Sequence, residues 1–299
     1  MHDPPPATVV DALGWATEQL DAGGVPGPRR EALDMWSVVT AVDPVVALAR
    51  PSAPVPQTQW QHFKAAVDRR VEGEPLAYAV GRASFRTLEL KVNRSVLIPR
   101  PETEGLVQAV LDWSQGRSRA GTVADIGTGS GCIALSLAAE GAFDRIIATD
   151  VSEEAVSIAT GNMALLRLTR NVEFRLGDLL SPLRLEVFDV IVSNPPYVTA
   201  EEFARLDPAV RDFEPRAALV SGQKGMWHTS QLLQRAGSHL TPGGLIALEI
   251  DARRARDALT LRCRRDGILP TSSEMFLGET GTCWRGTRLP GRQAGPPDE

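Results

Sequence analysis

Cysteine, long apolar runs and excess positive charge are all scarce in this chain of 299 residues, and each shortage excludes a class of protein. The three cysteines, Cys132, Cys263 and Cys283, are far apart, which fits neither a disulfide framework nor a Cys-x-x-Cys zinc site, so a reducing, cytoplasmic location is expected. No stretch approaches the roughly 20 consecutive apolar residues of a membrane span, so no membrane attachment is expected. Met1 to Thr8 is proline-rich and carries Asp3 where a signal peptide needs a basic segment followed by an apolar run. Lys and Arg number 32 against 37 Asp and Glu, a formal net charge of −5. Nonspecific affinity for nucleic acid rests on a basic field, so no stable nucleic-acid binding is expected, although a local basic groove stays open. The four histidines, His2, His62, His228 and His239, do not cluster in sequence. All four are expected to be structural, and no metal site is expected.

With 43% apolar residues the chain can bury about two cores. From Val9 to Glu72 apolar residues recur at helical spacing; Trp60, Phe63, Val67 and Val71 share one predicted helix face. Pro and Gly clusters at Gly23 to Pro28 and Pro51 to Pro56 separate the helices. Residues 1–78 are therefore expected to form a small helical domain. Between 79 and 97, Leu88, Leu90 and Val92 alternate with Glu89 and Lys91, the period-2 pattern of a short β connector. Residues 98–289 alternate strand and helix signals, with strands expected at Thr122 to Ile126, Arg145 to Thr149, Val172 to Leu176, Asp189 to Val192 and Leu245 to Ile250. Leu106, Val107, Val110 and Leu111 mark a helix before the first strand, and Ser152 is an expected N-cap, with Glu153 and Glu154 in the first turn behind it. The pattern predicts an α/β fold with a mostly parallel sheet, helices on both faces, and a ligand crevice at the carboxyl ends of the strands. Residues 290–299 are rich in Gly and Pro and are expected to be disordered.

The residues that follow the strands carry the chemistry. Asp125-Ile126-Gly127-Thr128-Gly129-Ser130-Gly131 closes the first strand with three alternating glycines, which permit a tight turn and a close approach of backbone to ligand. A turn without a ligand would use glycine too, but the preceding acid favours a cofactor loop. The spacing Gly-x-Gly-x-Gly differs from the Gly-x-Gly-x-x-Gly of dinucleotide binders and favours a nucleoside cofactor without a pyrophosphate. Asp150 ends the second strand about 20 residues further on, where an acid can accept from both hydroxyls of a ribose; it could otherwise cap the next helix. Asp178 and Leu179 follow the third strand and are expected beside the base, unless Asp178 is only a solvated loop acid. The fourth strand runs into Asn194-Pro195-Pro196-Tyr197. The prolines stiffen the backbone and cannot continue a strand. The Asn194 side-chain oxygen and the Pro195 carbonyl can accept the two N–H bonds of one NH₂ group, and Tyr197 offers a face for a planar amide or base. A rigid turn with a buried tyrosine is the plainer alternative.

Taken together, Asp125 to Gly131 and Asn194 to Tyr197 resemble the class I methyltransferases of planar nitrogen. Ile98-Pro99-Arg100-Pro101-Glu102-Thr103-Glu104, Gly73 to Tyr78 and Arg211-Asp212-Phe213-Glu214-Pro215-Arg216 are similar to the HemK/PrmC family of release-factor glutamine methyltransferases, over about residues 10 to 250. The resemblance implies a Rossmann-like class I methyltransferase domain and the cofactor S-adenosyl-L-methionine, held by Asp125, Gly127, Thr128, Gly129, Ser130, Gly131, Asp150, Asp178, Leu179 and Asn194. It implies catalysis by Asn194, Pro195 and Tyr197, and substrate contacts from Arg100, Pro101, Glu102, Glu104 and Asn194 to Tyr197. The partner it implies is a peptide-chain release factor, recognised by the helical domain and methylated on the glutamine of its Gly-Gly-Gln motif; a monomer is expected. The chain departs from the family pattern at Arg86 and Thr87, where an aromatic or small residue and then glycine are usual, and at Asp251, where glycine is usual. Asp251 also opens an Arg-rich stretch to Arg265, and the final hairpin, Glu274 to Arg288, is only weakly similar. Two alternatives stay open: N-methylation of adenine in nucleic acid or of glutamine in a ribosomal protein, and a noncatalytic module that binds the cofactor or a release factor.

Overall fold

The computed structural model describes residues 4–117, 121–169 and 171–254, together with the backbone of two strands at 268–269 and 282–288. The chain forms two compact units. One comprises Met1–Ala83, Val92–Arg94 and Asp207–Phe213, the other Ser84–Lys91, Ser95–Leu206 and Glu214–Glu299.

The first unit is built on the helices α1 (Val9–Ala22), α2 (Pro28–Thr40), α3 (Pro44–Ala49), α4 (Gln57–Val71) and α5 (Leu76–Val80). Their starts follow from local chemistry: Thr8 caps α1, Asp43 caps α3, and a proline opens α2 and α3, where its missing N–H costs nothing. The buried stripe of α1, Val9, Ala12, Ala16 and Leu20, has helical spacing and joins a core with Trp36, Trp60 and Phe63. Trp36 and Phe63 meet edge to face at 5.0 Å. Trp60, Phe63 and Val67 of α4 are buried, while Val71, the last residue of the helix, is 36% exposed.

The second unit holds a seven-stranded sheet; the hairpin strands β1 (Arg82–Phe85) and β2 (Leu88–Lys91) come before it in sequence, Arg82 and Ala83 belonging to the first unit. Its strands are β3 (Thr122–Ile126), β4 (Arg145–Asp150), β5 (Val172–Leu176), β6 (Phe188–Ser193), β7 (Leu240–Ile250), β8 (Ile268–Leu269) and β9 (Thr282–Arg288), in the order β5-β4-β3-β6-β7-β9-β8. The five strands from β5 to β7 run parallel, and β9 and β8 add an antiparallel edge. The helices α6 (Pro101–Ser114), α7 (Cys132–Glu140) and α8 (Glu153–Leu166) belong to this unit. Alternation along each strand divides its side chains between two cores. Val123, Ile146, Val190 and Val192 enter one, with Leu106, Val107 and Val110 of α6; Ala124, Ile147 and Ile191 enter the other, with Leu232 and Leu233 of the helix Trp227–Arg235. Both faces are thus covered, as a parallel sheet requires.

β3 and β5 coincide with the expected strands; β4 and β6 are longer by a residue or two, and β7 begins at Leu240 instead of Leu245. Most of the Arg-rich stretch, residues 255–265, lies outside the described residues, as do the tail 290–299 and much of the expected final hairpin. No helix among the described residues is long and apolar enough to cross a membrane.

Candidate active site

The strand order reverses at β3: β4 lies on one side of it and β6, two crossovers later in sequence, on the other, in the register Val123↔Val190 and Asp125↔Val192. Ligands of open α/β sheets bind at such a switch point, outside the carboxyl ends of the strands. Here the loop after β3 and the tetrapeptide after β6 meet, and the buried Ser193 hydroxyl ties them by donating to the Ile126 carbonyl at 2.6 Å.

The glycine loop is built on backbone bonds. Gly127 and Thr128 N–H both donate to the Thr149 carbonyl, at 2.8 and 3.0 Å, which turns the chain back over β4. Gly127 and Gly129 have φ of 73° and 56°, and a β-carbon added at either would stand in open space. Both glycines line a cavity of about 310 Å³, so the missing side chains keep that space clear. Asp150 holds the loop from the side: Oδ2 accepts from Gly129 N–H at 2.9 Å and Oδ1 from Ser152 N–H at 2.9 Å. Ser152 caps α8 as expected, accepting from Ala155 N–H at 3.2 Å.

Asp125 lies beneath the loop, fully buried. Its Oδ2 accepts from the Thr128 hydroxyl at 2.7 Å and Ala134 N–H at 3.2 Å, while Oδ1 is buried with no hydrogen-bond partner. Burial pushes this carboxyl up to about 7, against the hydrogen bonds from Thr128 and Ala134 and with help from the nearby charge of Asp150. Burial pushes the thiol of Cys132, at the start of α7, up to about 12.

After β6, the Asn194 amide donates from Nδ2 to the Thr103 hydroxyl oxygen at 3.1 Å, and Thr103 in turn donates to Glu249 Oε2 at 2.7 Å. Burial raises the Glu249 carboxyl, while bonds from Thr103 and Asn194 hold it down. Tyr197 is pushed up to about 12, chiefly by burial, and stays a neutral phenol. Its carbonyl packs so closely on Gly225 that a β-carbon there would come within 2.2 Å. Downstream, Val198 and Ser221 exchange backbone bonds with the segment opposite, and Thr199 with Glu202 forms a capping box.

Of the residues singled out in the sequence, Gly127, Gly129, Asp150, Asp178, Leu179, Asn194 and Pro196 line the cavity. Its lining does not include Asp125, Thr128, Ser130, Gly131, Pro195 or Tyr197, of which Asp125, Thr128 and Ser130 are buried in or beneath the glycine loop. Nor does it include Arg100, Pro101, Glu102 or Glu104. Arg100 is paired with the buried Glu214, and Glu104 accepts from Arg86 N–H at 3.0 Å. Sequence reasoning missed Ser95 to Leu97, Ala217, Ala218 and His228 on the cavity wall. The first two groups flank the runs at Ile98 to Glu104 and Arg211 to Arg216, so adjacency was a usable signal. His228 had none: its Nδ1 lies 2.8 Å from the Ser221 hydroxyl, and burial lowers its basicity. Among the described residues no group of His, Cys, Asp and Glu could hold a metal.

Comparison with known proteins agrees with this geometry. Residues 11–81 match the family model described as PrmC N-terminal domain, and residues 104–211 match the methyltransferase small domain. A release factor glutamine methyltransferase of Koribacter versatilis is 39% identical over 244 residues, covering 81% of this chain and 86% of that protein. One of Moorella thermoacetica is 42% identical over 243 residues, covering 81% and 85%. Among solved structures, Methanocaldococcus jannaschii Trm5 in complex with adenosine superposes with a TM-score of 0.50 at 14% identity, over 70% of this chain and 55% of that one, a likeness of fold alone. Identity at this level across four fifths of the chain, in both units, shows that it belongs to the release factor glutamine methyltransferase family.

Proposed function

We propose that the chain transfers a methyl group from S-adenosyl-L-methionine to the side-chain nitrogen of the glutamine in the Gly-Gly-Gln motif of a peptide-chain release factor. The observation that carries this reading is the meeting of the glycine loop and Asn194-Pro195-Pro196-Tyr197 at one cavity, across neighbouring strands. The cavity fits the cofactor: its volume lies in the range of small-ligand sites, two glycines keep its floor open, and Asp150, Asp178 and Asn194 bring polar groups to its wall. Asp150 would hold the ribose, and Asp178 with Leu179 the base. When bound, the cofactor supplies a sulfonium methyl whose departure leaves a neutral thioether. Asn194 Oδ1 and the Pro195 carbonyl hold the two N–H bonds of the glutamine amide, so its nitrogen faces the methyl, and their dipoles stabilise positive charge growing there. Transfer would form the C–N bond as the C–S bond breaks, with the proton lost from the nitrogen passing to solvent. Tyr197 offers a neutral ring to the amide plane. The helical unit and the run Arg100 to Glu104 serve recognition of the release factor.

The test is incubation with methyl-labelled S-adenosyl-L-methionine and, separately, release factor, ribosomal proteins and DNA. Label is expected on the release-factor glutamine; label on DNA or on a ribosomal protein alone would reassign the substrate.

A further inference from the structure

One residue near the carboxyl end of β7 does not belong to an apolar strand. Leu245, Ile246, Ala247, Leu248 and Ile250 are buried in the two cores, and Glu249 between them is only 4% exposed. A buried carboxylate is expensive, and an apolar side chain of similar volume often costs less. The position of Glu249 shows what the carboxylate does. It accepts from the Thr103 hydroxyl at 2.7 Å, and Thr103, itself buried, accepts from Asn194 Nδ2 at 3.1 Å.

We propose that Glu249 and Thr103 are positioning residues that set which end of the Asn194 carboxamide faces the substrate. The inference rests on the proposed role of Asn194 Oδ1 as acceptor for the target NH₂ group. The direction of the chain follows from counting protons. The Thr103 hydroxyl has a single proton to donate, and it goes to Glu249, which the Asn194 amide also reaches as an acceptor. With that proton committed to Glu249, Thr103 can offer Asn194 only a lone pair, and the amide must turn its NH₂ end to Thr103. The Oδ1 end then points the other way, as an acceptor, before any substrate arrives. Without the relay the two ends of the carboxamide are nearly equal in size and shape, and a flipped amide would present N–H to N–H, repelling the group it should hold. Thr103 lies in the first turn of α6 and Glu249 on β7, so the relay joins three elements that converge from distant parts of the sequence.

The experiment compares Thr103→Val, Thr103→Ser, Glu249→Gln and Asn194→Ala in the full chain, measuring single-turnover methylation of release factor, affinity for S-adenosyl-L-methionine and thermal melting. Thr103→Val is expected to lower kcat at least ~10-fold, because a misplaced acceptor loses near-attack geometry, with cofactor affinity kept within about twofold. Thr103→Ser, which keeps the hydroxyl, is expected to restore the rate. Glu249→Gln is expected to lie between, since its amide can offer Thr103 either a donor or an acceptor. If Asn194→Ala is inactive while Thr103→Val and Glu249→Gln turn over normally, the relay is overturned and the reading of Asn194 survives. If Asn194→Ala is itself active, that reading fails and the relay with it. In the unmodified protein, the ¹⁵N-labelled Asn194 side-chain amide is expected to exchange slowly with solvent. Fast exchange of both its protons would overturn the relay without recourse to any variant.

Discussion

Asp150 holds the fold and, in the proposed reading, the ligand as well. A carboxylate offers about four acceptor positions. Two are taken by the N–H groups of Gly129 and Ser152, leaving lone pairs for a ligand in the cavity that Asp150 lines. Asp150→Ala is expected to weaken S-adenosyl-L-methionine at least ~10-fold, the effect of losing a charge-assisted contact worth about 1.5–3 kcal/mol. Calorimetric titration checks it, and unchanged affinity would remove the ribose assignment. Asp125 makes a prediction of a different kind. Its ordinary value of about 3.9 is raised by burial to about 7, so the folded protein binds this proton more tightly than the unfolded chain. Its contribution to stability is full below about pH 4 and is lost as pH rises toward 7. Asp125→Asn removes that titration. Chemical denaturation between pH 4.5 and 7.5 should show the unmodified protein losing more stability with rising pH than the variant does; parallel slopes would mean that the buried carboxyl is not raised. The need for acids at 125 and 150 was legible in sequence. The roles of Thr103 and Glu249 were not, because a threonine and a glutamate 146 residues apart carry no mark of their contact until the chain is folded.

The hairpin of β1 and β2 turns on Arg86, whose φ of 52° is a conformation that costs an ordinary residue about 1–2 kcal/mol and glycine almost none. At Arg86 the departure from the family pattern is held by contacts of its own. Arg86 offsets the strain by reaching α6 and α7: its backbone N–H donates to Glu104 Oε1, and its guanidinium donates to Glu140 at 2.8 and 2.6 Å, to the Glu104 carbonyl and to Gln108. The pair is mostly shielded, with side-chain exposures of 14% and 21%. Arg86→Ala is expected to destabilise by ~1–3 kcal/mol, and Arg86→Gly by less, since glycine relieves the backbone strain. The hydrogen bond from Arg86 holds the Glu140 carboxyl below its ordinary value. That contribution is therefore present above the unfolded glutamate value and is lost as pH falls through the lower folded one. Urea titrations should find a gap between the unmodified protein and Arg86→Ala at pH 7 that closes in acid; a gap independent of pH would assign the loss to packing. At this scale the sequence was readable where the signal is local. The runs at β3 and β5 were expected with the bounds observed, and Ser152 with two acids behind it marked the start of α8. β7 begins five residues before the expected Leu245, running from Leu240 through Pro242, Gly243 and Gly244, residue types that weaken a strand signal.

For the whole molecule, a ligand that binds only the folded state adds stability by mass action. S-adenosyl-L-methionine at about 100 times its Kd should add ~2.7 kcal/mol, and Asp150→Ala at the same concentration should show less of this. Thermal melting with and without cofactor measures both, and no shift at saturating cofactor would mean that the cavity is not its site. What the sequence by itself determined was the alternation of strand and helix, the glycine loop, the stiff Asn-Pro-Pro-Tyr turn and the acid that ends β4. Each depends on residues within a few positions of one another, where period, capping and backbone restriction act. Tertiary structure alone decided that β6 lies against β3. Strand order is chosen by how helices and crossovers pack on the two faces of the sheet, a competition among contacts far apart in sequence. That choice brings Asn194 beside the glycine loop, and the packing of α6 and β7 around it places a hydroxyl and a buried carboxylate where they can orient its amide.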